Sequence, residues 1–259
     1  MTTQIVERMA VEIDGEGDPV ILLHGLGGTS NTWTPQMGVF TGRFRVIRPD
    51  LPGSGRSPLH SATLSIDVLA DLVIRMAGAL GIERAHFAGH SMGTIVCQHV
   101  AARAAKLVRS LTLVGPLTAP PDAARKGLKD RAQKARAEGM ADIANAVVQA
   151  ATSSQSKAHN PVAIAAARES LMRQAPDGYA ANCEALSDAE AADPAAIACP
   201  TLLIAGEDDV VAPPSVARGL ADRLPAARVH VLPRVGHWLT FEAANDVNGL
   251  LKEFLSGVR

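Results

Sequence analysis

Residues 85–104 read Ala85-His-Phe-Ala-Gly89-His-Ser91-Met-Gly93-Thr-Ile-Val-Cys-Gln-His-Val-Ala-Ala-Arg-Ala104. The segment opens on Ala85–Ala88, a short apolar run of buried-strand length, and continues over Ser91–Ala104 as an apolar helix. Between the two stands Gly89-His90-Ser91-Met92-Gly93, a G-x-S-x-G pentapeptide. A strand that turns at once into a helix crowds its own corner. Glycines at both ends let the backbone pass there and leave the serine hydroxyl exposed. The first turn of the helix also carries backbone N–H groups without intrahelical partners, suited to a developing negative charge. The spacing predicts that Ser91 is a nucleophile rather than only a helix cap.

Outward from this corner, short apolar runs alternate with helical patterns, as in an α/β protein with a mostly parallel sheet. Upstream, Val6–Ile13 reads as one edge strand, Val20–Leu23 and Arg45–Arg48 as buried strands, and Ile66–Leu80 as a helix stopped by Gly81. Downstream, Ser110–Val114, Thr201–Ala205 and Val229–Leu232 read as strands, Ser215–Arg223 as a helix, with a last helix after His237. The alternation breaks between Pro120 and Asp193, an Ala-rich, charge-dotted stretch with no β run, punctuated at Gly139, Pro161, Pro176-Asp-Gly178 and Pro194. The expected organisation is an α/β core over 1–117 and 196–259 and a helical cap over 118–195.

A nucleophilic serine needs a base, and the base needs an orienting carboxylate. Two histidines lie far downstream. His230 falls inside the apolar run Val229–Leu232 and reads as a strand residue, whereas His237 follows Gly236 in a turn between strand and helix and reads as the base. For the acid, the strand Thr201–Ala205 empties into Gly206-Glu-Asp-Asp209, three adjacent carboxylates that spacing alone barely separates.

Taken together, His24-Gly-Leu-Gly-Gly28, Asp50-Leu-Pro-Gly-Ser-Gly-Arg-Ser57, Gly89-His-Ser-Met-Gly93, Gly206-Glu-Asp-Asp209 and Gly236-His-Trp238 resemble the α/β-hydrolase superfamily over essentially the whole chain. The resemblance implies a parallel sheet flanked by helices, with Asp209 as the acid and an oxyanion hole formed by the backbone N–H groups of Leu26 and Met92. His24 in such a loop reads as structural. Within the superfamily, Pro176–Leu186 and Cys199–Gly206 are most similar to bacterial 3-oxoadipate enol-lactonases and related esterases, although the first hairpin reads as shortened to one strand. The implied activity is hydrolysis of a small carboxylic ester or lactone through an acyl-enzyme. Alternatives on the same triad are carbon–carbon, amide or carbamate hydrolysis and perhydrolysis. A ligand sensor that retains the triad is a reading of another class. Gly25, Trp33, His90 and Trp238 are candidate pocket residues, and one of Arg131, Arg136, Arg168 and Arg173 could meet a substrate carboxylate.

Composition narrows the partners. Among 259 residues, 25 Lys+Arg oppose 26 Asp+Glu, so no basic excess exists to neutralise phosphates, and a nucleic-acid partner is disfavoured. No apolar run reaches the length of a bilayer span, and the charged start does not read as a signal peptide. Cys97, Cys183 and Cys199 form no CxxC. The expectation is a reduced, cytoplasmic protein with a small-molecule substrate and no membrane partner. No HExxH, GxGxxG or P-loop occurs, so neither a metal nor an organic cofactor is expected.

Overall fold

A computed structural model describes residues 1–59 and 63–258. Eight strands, β1 (Thr2–Val6), β2 (Met9–Asp14), β3 (Asp18–Leu23), β4 (Phe44–Pro49), β5 (Ala85–His90), β6 (Val108–Val114), β7 (Thr201–Gly206) and β8 (Ala227–Leu232), form one sheet in the order β1-β2-β4-β3-β5-β6-β7-β8. β3 to β8 are mutually parallel, and β2 runs against its neighbours on both sides. β5 and β7, both flanked by strands on either side, are buried along their whole length, as a parallel sheet covered on both faces requires.

The N-terminus corrects the expectation of a single edge strand. β1 and β2 form a complete hairpin, with Val6 paired to Met9 across a two-residue turn. Glu7 and Arg8 occupy that turn with φ of 50° and 61°, the paired left-handed conformation that tight hairpins favour. Because neither residue is Gly, Asn or Asp, the turn carried no sequence signal. β1 itself is exposed, so it lacks the alternation of a half-buried strand.

The helices are α1 (Met37–Phe40), α2 (Ile66–Ala79), α3 (Met92–Arg103), α4 (Asp122–Glu138), α5 (Ala141–Ala151), α6 (Ser154–His159), α7 (Pro161–Met172), α8 (Pro176–Ser187), α9 (Pro214–Ala221), α10 (Leu239–Glu242) and α11 (Ala244–Gly257). α2, α3 and α9 share one apolar core, through residues such as Leu69, Val73, Ile95 and Leu220. Phe40 of α1 and Val247, Leu251 and Phe254 of α11 pack in a second core with Trp33, from the short 3-10 segment Ser30–Gln36. Among the described residues, no helix is long and apolar enough to cross a membrane.

α4 to α8 intervene between β6 and β7. They are bound to the sheet-bearing part at specific points. Asn182 of α8 donates through Nδ2 to the Pro52 carbonyl at 2.9 Å. Gly178 lies so close to Gly53 that a Cβ on it would overlap the Gly53 carbonyl, so only glycine permits this approach. On α7, the Ser170 hydroxyl donates to the Gly27 carbonyl at 2.8 Å, and the Gln174 amide reaches the carbonyls of Gly27 and Gly28 at 3.2 and 3.3 Å.

Candidate active site

The turn from β5 into α3 holds Ser91 at φ 52° and ψ −121°, a left-handed backbone that L-residues adopt at a cost. The surroundings enforce it. A Cβ on Gly93 would lie 2.6 Å from the Leu23 carbonyl oxygen and 2.7 Å from that of His24, and one on Gly89 would overlap Gly93. The pentapeptide therefore packs β5, α3 and the end of β3 closer than side chains allow, and the serine takes up the resulting bend.

His237 follows β8 in the turn before α10, and Asp209 follows β7. Ser91 Oγ lies 2.8 Å from His237 Nε2, and His237 Nδ1 lies 2.7 Å from Asp209 Oδ2. The Asp209 Oδ1 atom accepts the backbone N–H groups of Val211 and Ala212, each at 2.8 Å. Burial pushes the Asp209 carboxyl upward. The His237 charge, the hydrogen bond to it and the two backbone donors outweigh that burial and hold the acid below its usual range. Glu207 and Asp208 are exposed, so the three carboxylates left open by spacing are separated by burial: Asp209 meets the imidazole. His230 is exposed on β8, as a strand residue.

With Nδ1–H directed at the carboxylate, the Nε2 lone pair faces the serine hydroxyl and can accept its proton. The loop His24–Gly28 lies against the serine: a Cβ on Gly25 would sit 2.7 Å from Ser91 Cβ. His24 pins this loop from below. Its Nδ1 faces the Gly25 carbonyl at 2.8 Å and its Nε2 accepts the Leu51 N–H at 2.9 Å, while burial lowers its pKa and favours the neutral ring. Among the described residues, the backbone N–H groups of Leu26 and Met92 have no protein acceptor, which leaves both available to an oxyanion.

A cavity of about 500 Å³ opens over Ser91. Leu26, His90, His237 and Trp238 line its base, and residues including Leu117, Leu128, Val147, Tyr179 and Leu186 line the rest. Two pocket expectations are corrected. Trp33 is fully buried in the second core with Phe40 and Phe44, because the 3-10 segment turns its indole under the sheet and away from the cavity. Gly25 supports Ser91 from behind and does not line the cavity. His90 does line it, while also packing: its Nε2 donates to the His237 carbonyl at 2.8 Å and its ring lies 5.2 Å from the His237 ring. Burial, aided by the His237 charge, drives the His90 pKa down to about 3, so the ring is neutral at physiological pH. The Trp238 indole lines the cavity and stacks on Phe241 at 5.8 Å.

Of the four arginines between β6 and β7, Arg131 reaches the cavity. Arg136 pairs with Glu184, Arg168 with the Asn145 side chain, and Arg173 approaches Glu169. Sequence reasoning missed Glu242. Its carboxylate accepts the N–H groups of Gly236 (3.1 Å) and Trp238 (3.0 Å), on either side of His237, and of Ser153 (2.8 Å) at the start of α6. The contact joins residues 89 apart, and no local pattern announces it. Among the described residues, no group of three or more His, Cys, Asp or Glu is placed to hold a metal ion.

A family model described as alpha/beta hydrolase fold matches residues 18–244. A protein of Caulobacter sp. (strain K31), provisionally named carbamate hydrolase RutD, is 30% identical over 99% of both chains. Among solved structures, the enol-lactonase from Burkholderia xenovorans LB400 superposes with a TM-score of 0.89 at 30% identity, covering 98% of this chain and all of that one. A thermophilic esterase from Thermogutta terrifontis, solved with malate bound, superposes with a TM-score of 0.93 at 25% identity, covering 100% and 99% of the two chains.

Proposed function

The chain belongs to the alpha/beta hydrolase family, and from that premise we propose that it is a serine hydrolase cleaving a small carboxylic ester or lactone through an acyl-enzyme. The observation that carries the proposal is the continuous hydrogen-bonded chain Ser91–His237–Asp209 at the base of a largely apolar cavity. His237 takes the Ser91 proton as Oγ attacks the carbonyl carbon, and the N–H groups of Leu26 and Met92 bind the resulting oxyanion. Each such donor contributes about 3 to 4 kcal/mol in comparable sites. The imidazolium gives its proton to the leaving alkoxide, and the acyl group stays on Ser91. A water then repeats the sequence, with His237 again as base, and releases the acid. Asp209 keeps Nδ1 protonated and stabilises the imidazolium without taking the proton. Residues 118–195 serve as the cap that closes over the substrate and keeps bulk water away.

Enol-lactone hydrolysis by the Burkholderia relative supports the ester or lactone reading. Carbamate hydrolysis is the second reading, favoured by the Caulobacter relative that matches across nearly the full length of both chains. Both are acyl transfers to the same serine and differ in the leaving group.

The test compares wild type with Ser91→Ala on 4-nitrophenyl esters of increasing chain length, an aliphatic lactone and an aryl carbamate. Sustained ester or lactone turnover that falls by several orders of magnitude in the variant supports the proposal. Turnover of the carbamate alone moves the assignment to the second reading. Equal rates in both proteins overturn Ser91 as nucleophile, and a single slow burst without turnover points to a ligand sensor.

A further inference from the structure

The hydrogen bond between Ser91 and His237 exists only while the serine carries its proton. Once acylated, Oγ has no hydrogen to donate, and the neutral ring presents the Nε2 lone pair to an ester oxygen, acceptor against acceptor. Release of the acid still needs His237 in place. Nε2 must take a proton from a water as the water oxygen attacks the acyl carbonyl, and must give it to Oγ as the C–Oγ bond breaks.

The ties that hold the base run in three directions. Asp209 Oδ2 fixes the ring to the turn after β7. The His237 N–H donates to the Ala151 carbonyl at 2.7 Å, and Glu242 joins the N–H groups of Gly236 and Trp238 to that of Ser153, so these ties lead to the junction of α5 and α6. The third tie is the 2.8 Å bond from His90 Nε2 to the His237 carbonyl. Among the described residues, the hydrogen bonds that join the His237 turn to the Ser91 turn are this one and the bond to Oγ. They meet consecutive residues, 90 and 91, and acylation removes the second.

The chemistry of His90 fits the task that remains. Its ring packs 5.2 Å from that of His237 and 5.6 Å from that of Trp238. A carbonyl at Nε2 requires the proton there, which leaves Nδ1 bare, buried beside Gly25 and without a partner. A buried unpaired nitrogen destabilises the fold. Phenylalanine would fill the same space without that cost, so what the histidine adds is its Nε2–H.

We propose that His90 is a positioning residue for deacylation, keeping His237 in register with the acylated serine after the Ser91–His237 bond is gone. This rests on the assignment of Ser91 as nucleophile.

The test uses 4-nitrophenyl butyrate with wild type, His90→Phe and His90→Gln. Intact masses of acid-quenched, substrate-saturated samples give the fraction of enzyme carrying a butyryl group. Together with kcat, that fraction yields the acylation and deacylation rates separately. In His90→Phe, deacylation should fall about 10- to 100-fold, as expected when a buried carbonyl loses its donor, and acylation less than about threefold. The butyryl fraction then rises. In His90→Gln the amide nitrogen stands near the place of Nε2, and the ratio of the two rates should return toward wild type. Equal falls in both rates overturn the proposal, because a merely structural ring would slow both steps alike, and so does a Gln variant that behaves as Phe. Should His90→Phe fail to fold, His90→Asn decides, since its amide is too short to reach the carbonyl: a wild-type ratio overturns the role and a slowed deacylation supports it. A wild type that neither turns over nor is labelled at Ser91 by a fluorophosphonate takes the proposal down with the serine-hydrolase reading. An active, labelled wild type with an unchanged ratio in the variants removes the role of His90 alone.

Discussion

Asp209→Asn probes the proton logic of the site more sharply than removal of the serine, because the structure dictates how the new amide must sit. Asp209 Oδ1 accepts two backbone N–H groups, from Val211 and Ala212, while Oδ2 faces His237 Nδ1 at 2.7 Å. An asparagine keeps its oxygen toward the two N–H donors, since turning its NH₂ that way would set donor against donor twice. Its NH₂ then faces Nδ1, which must accept, and the ring proton moves to Nε2. That nitrogen lies 2.8 Å from Ser91 Oγ, and once protonated it cannot take the serine proton. Recovering the working tautomer means rotating the amide and losing both backbone bonds, at about 1 to 1.5 kcal/mol each. Further losses come from donor–donor repulsion and from the missing charge beside the imidazolium. The sum of about 4 to 5 kcal/mol corresponds to a fall in kcat of about 10³- to 10⁴-fold. The variant is nearly isosteric, so its melting temperature should move little while kcat on a 4-nitrophenyl ester collapses. A loss of less than about tenfold would refute the reasoning, because it would mean that Asp209 does not set the tautomer.

Other consequences follow from groups away from the reacting atoms. Removing the Glu242 carboxylate by Glu242→Ala strands the N–H groups of Gly236, Trp238 and Ser153. Discounted for partial exposure, that costs about 3 kcal/mol, or a drop of about 6 to 12 °C in Tm, with a lower kcat as the His237 loop loosens. A Tm within 2 °C of wild type and an unchanged kcat would contradict this role. Acid should destabilise the fold well before its carboxylates are protonated. Burial, with help from Arg109, lowers the His86 pKa to about 4, and burial with His237 lowers that of His90 to about 3. In the unfolded chain both take a proton near pH 6.5, so between there and pH 4 the unfolded state binds more protons than the folded one. Stability is therefore full above pH 6.5 and falls as pH drops, by about 1.4 kcal/mol per pH unit for each histidine. Urea midpoints at pH 7, 5.5 and 4.5 measure the slope, and a flat series would rule it out.

The alternation of strands and helices was legible because the inner parallel strands are buried on both faces and so read as continuous apolar runs. Val20–Leu23, Thr201–Ala205 and Ala85–Ala88 all behave this way. Where burial does not impose a pattern, reading along the chain failed. β1 is exposed, and its turn at Glu7-Arg8 uses ordinary residues in a left-handed backbone, so the hairpin was invisible. Trp33 follows the loop His24–Gly28 in sequence, yet it is fully buried in the second core. Proximity along the chain says nothing about which face a short 3-10 segment presents.

The sequence by itself determined the α/β-hydrolase fold and the corner at Ser91, because a G-x-S-x-G between strand and helix is a local steric requirement contained in consecutive residues. It also pointed to His237, since a histidine in a turn after a strand can be told from one inside the strand. The resemblance already singled out Asp209 among its acidic neighbours, but only the tertiary structure brought it against His237, placed Glu242 across the His237 loop, and singled out Arg131 from the other arginines between β6 and β7. Those assignments depend on burial and on which partners remain unpaired, and both are properties of segments brought together from distant parts of the chain.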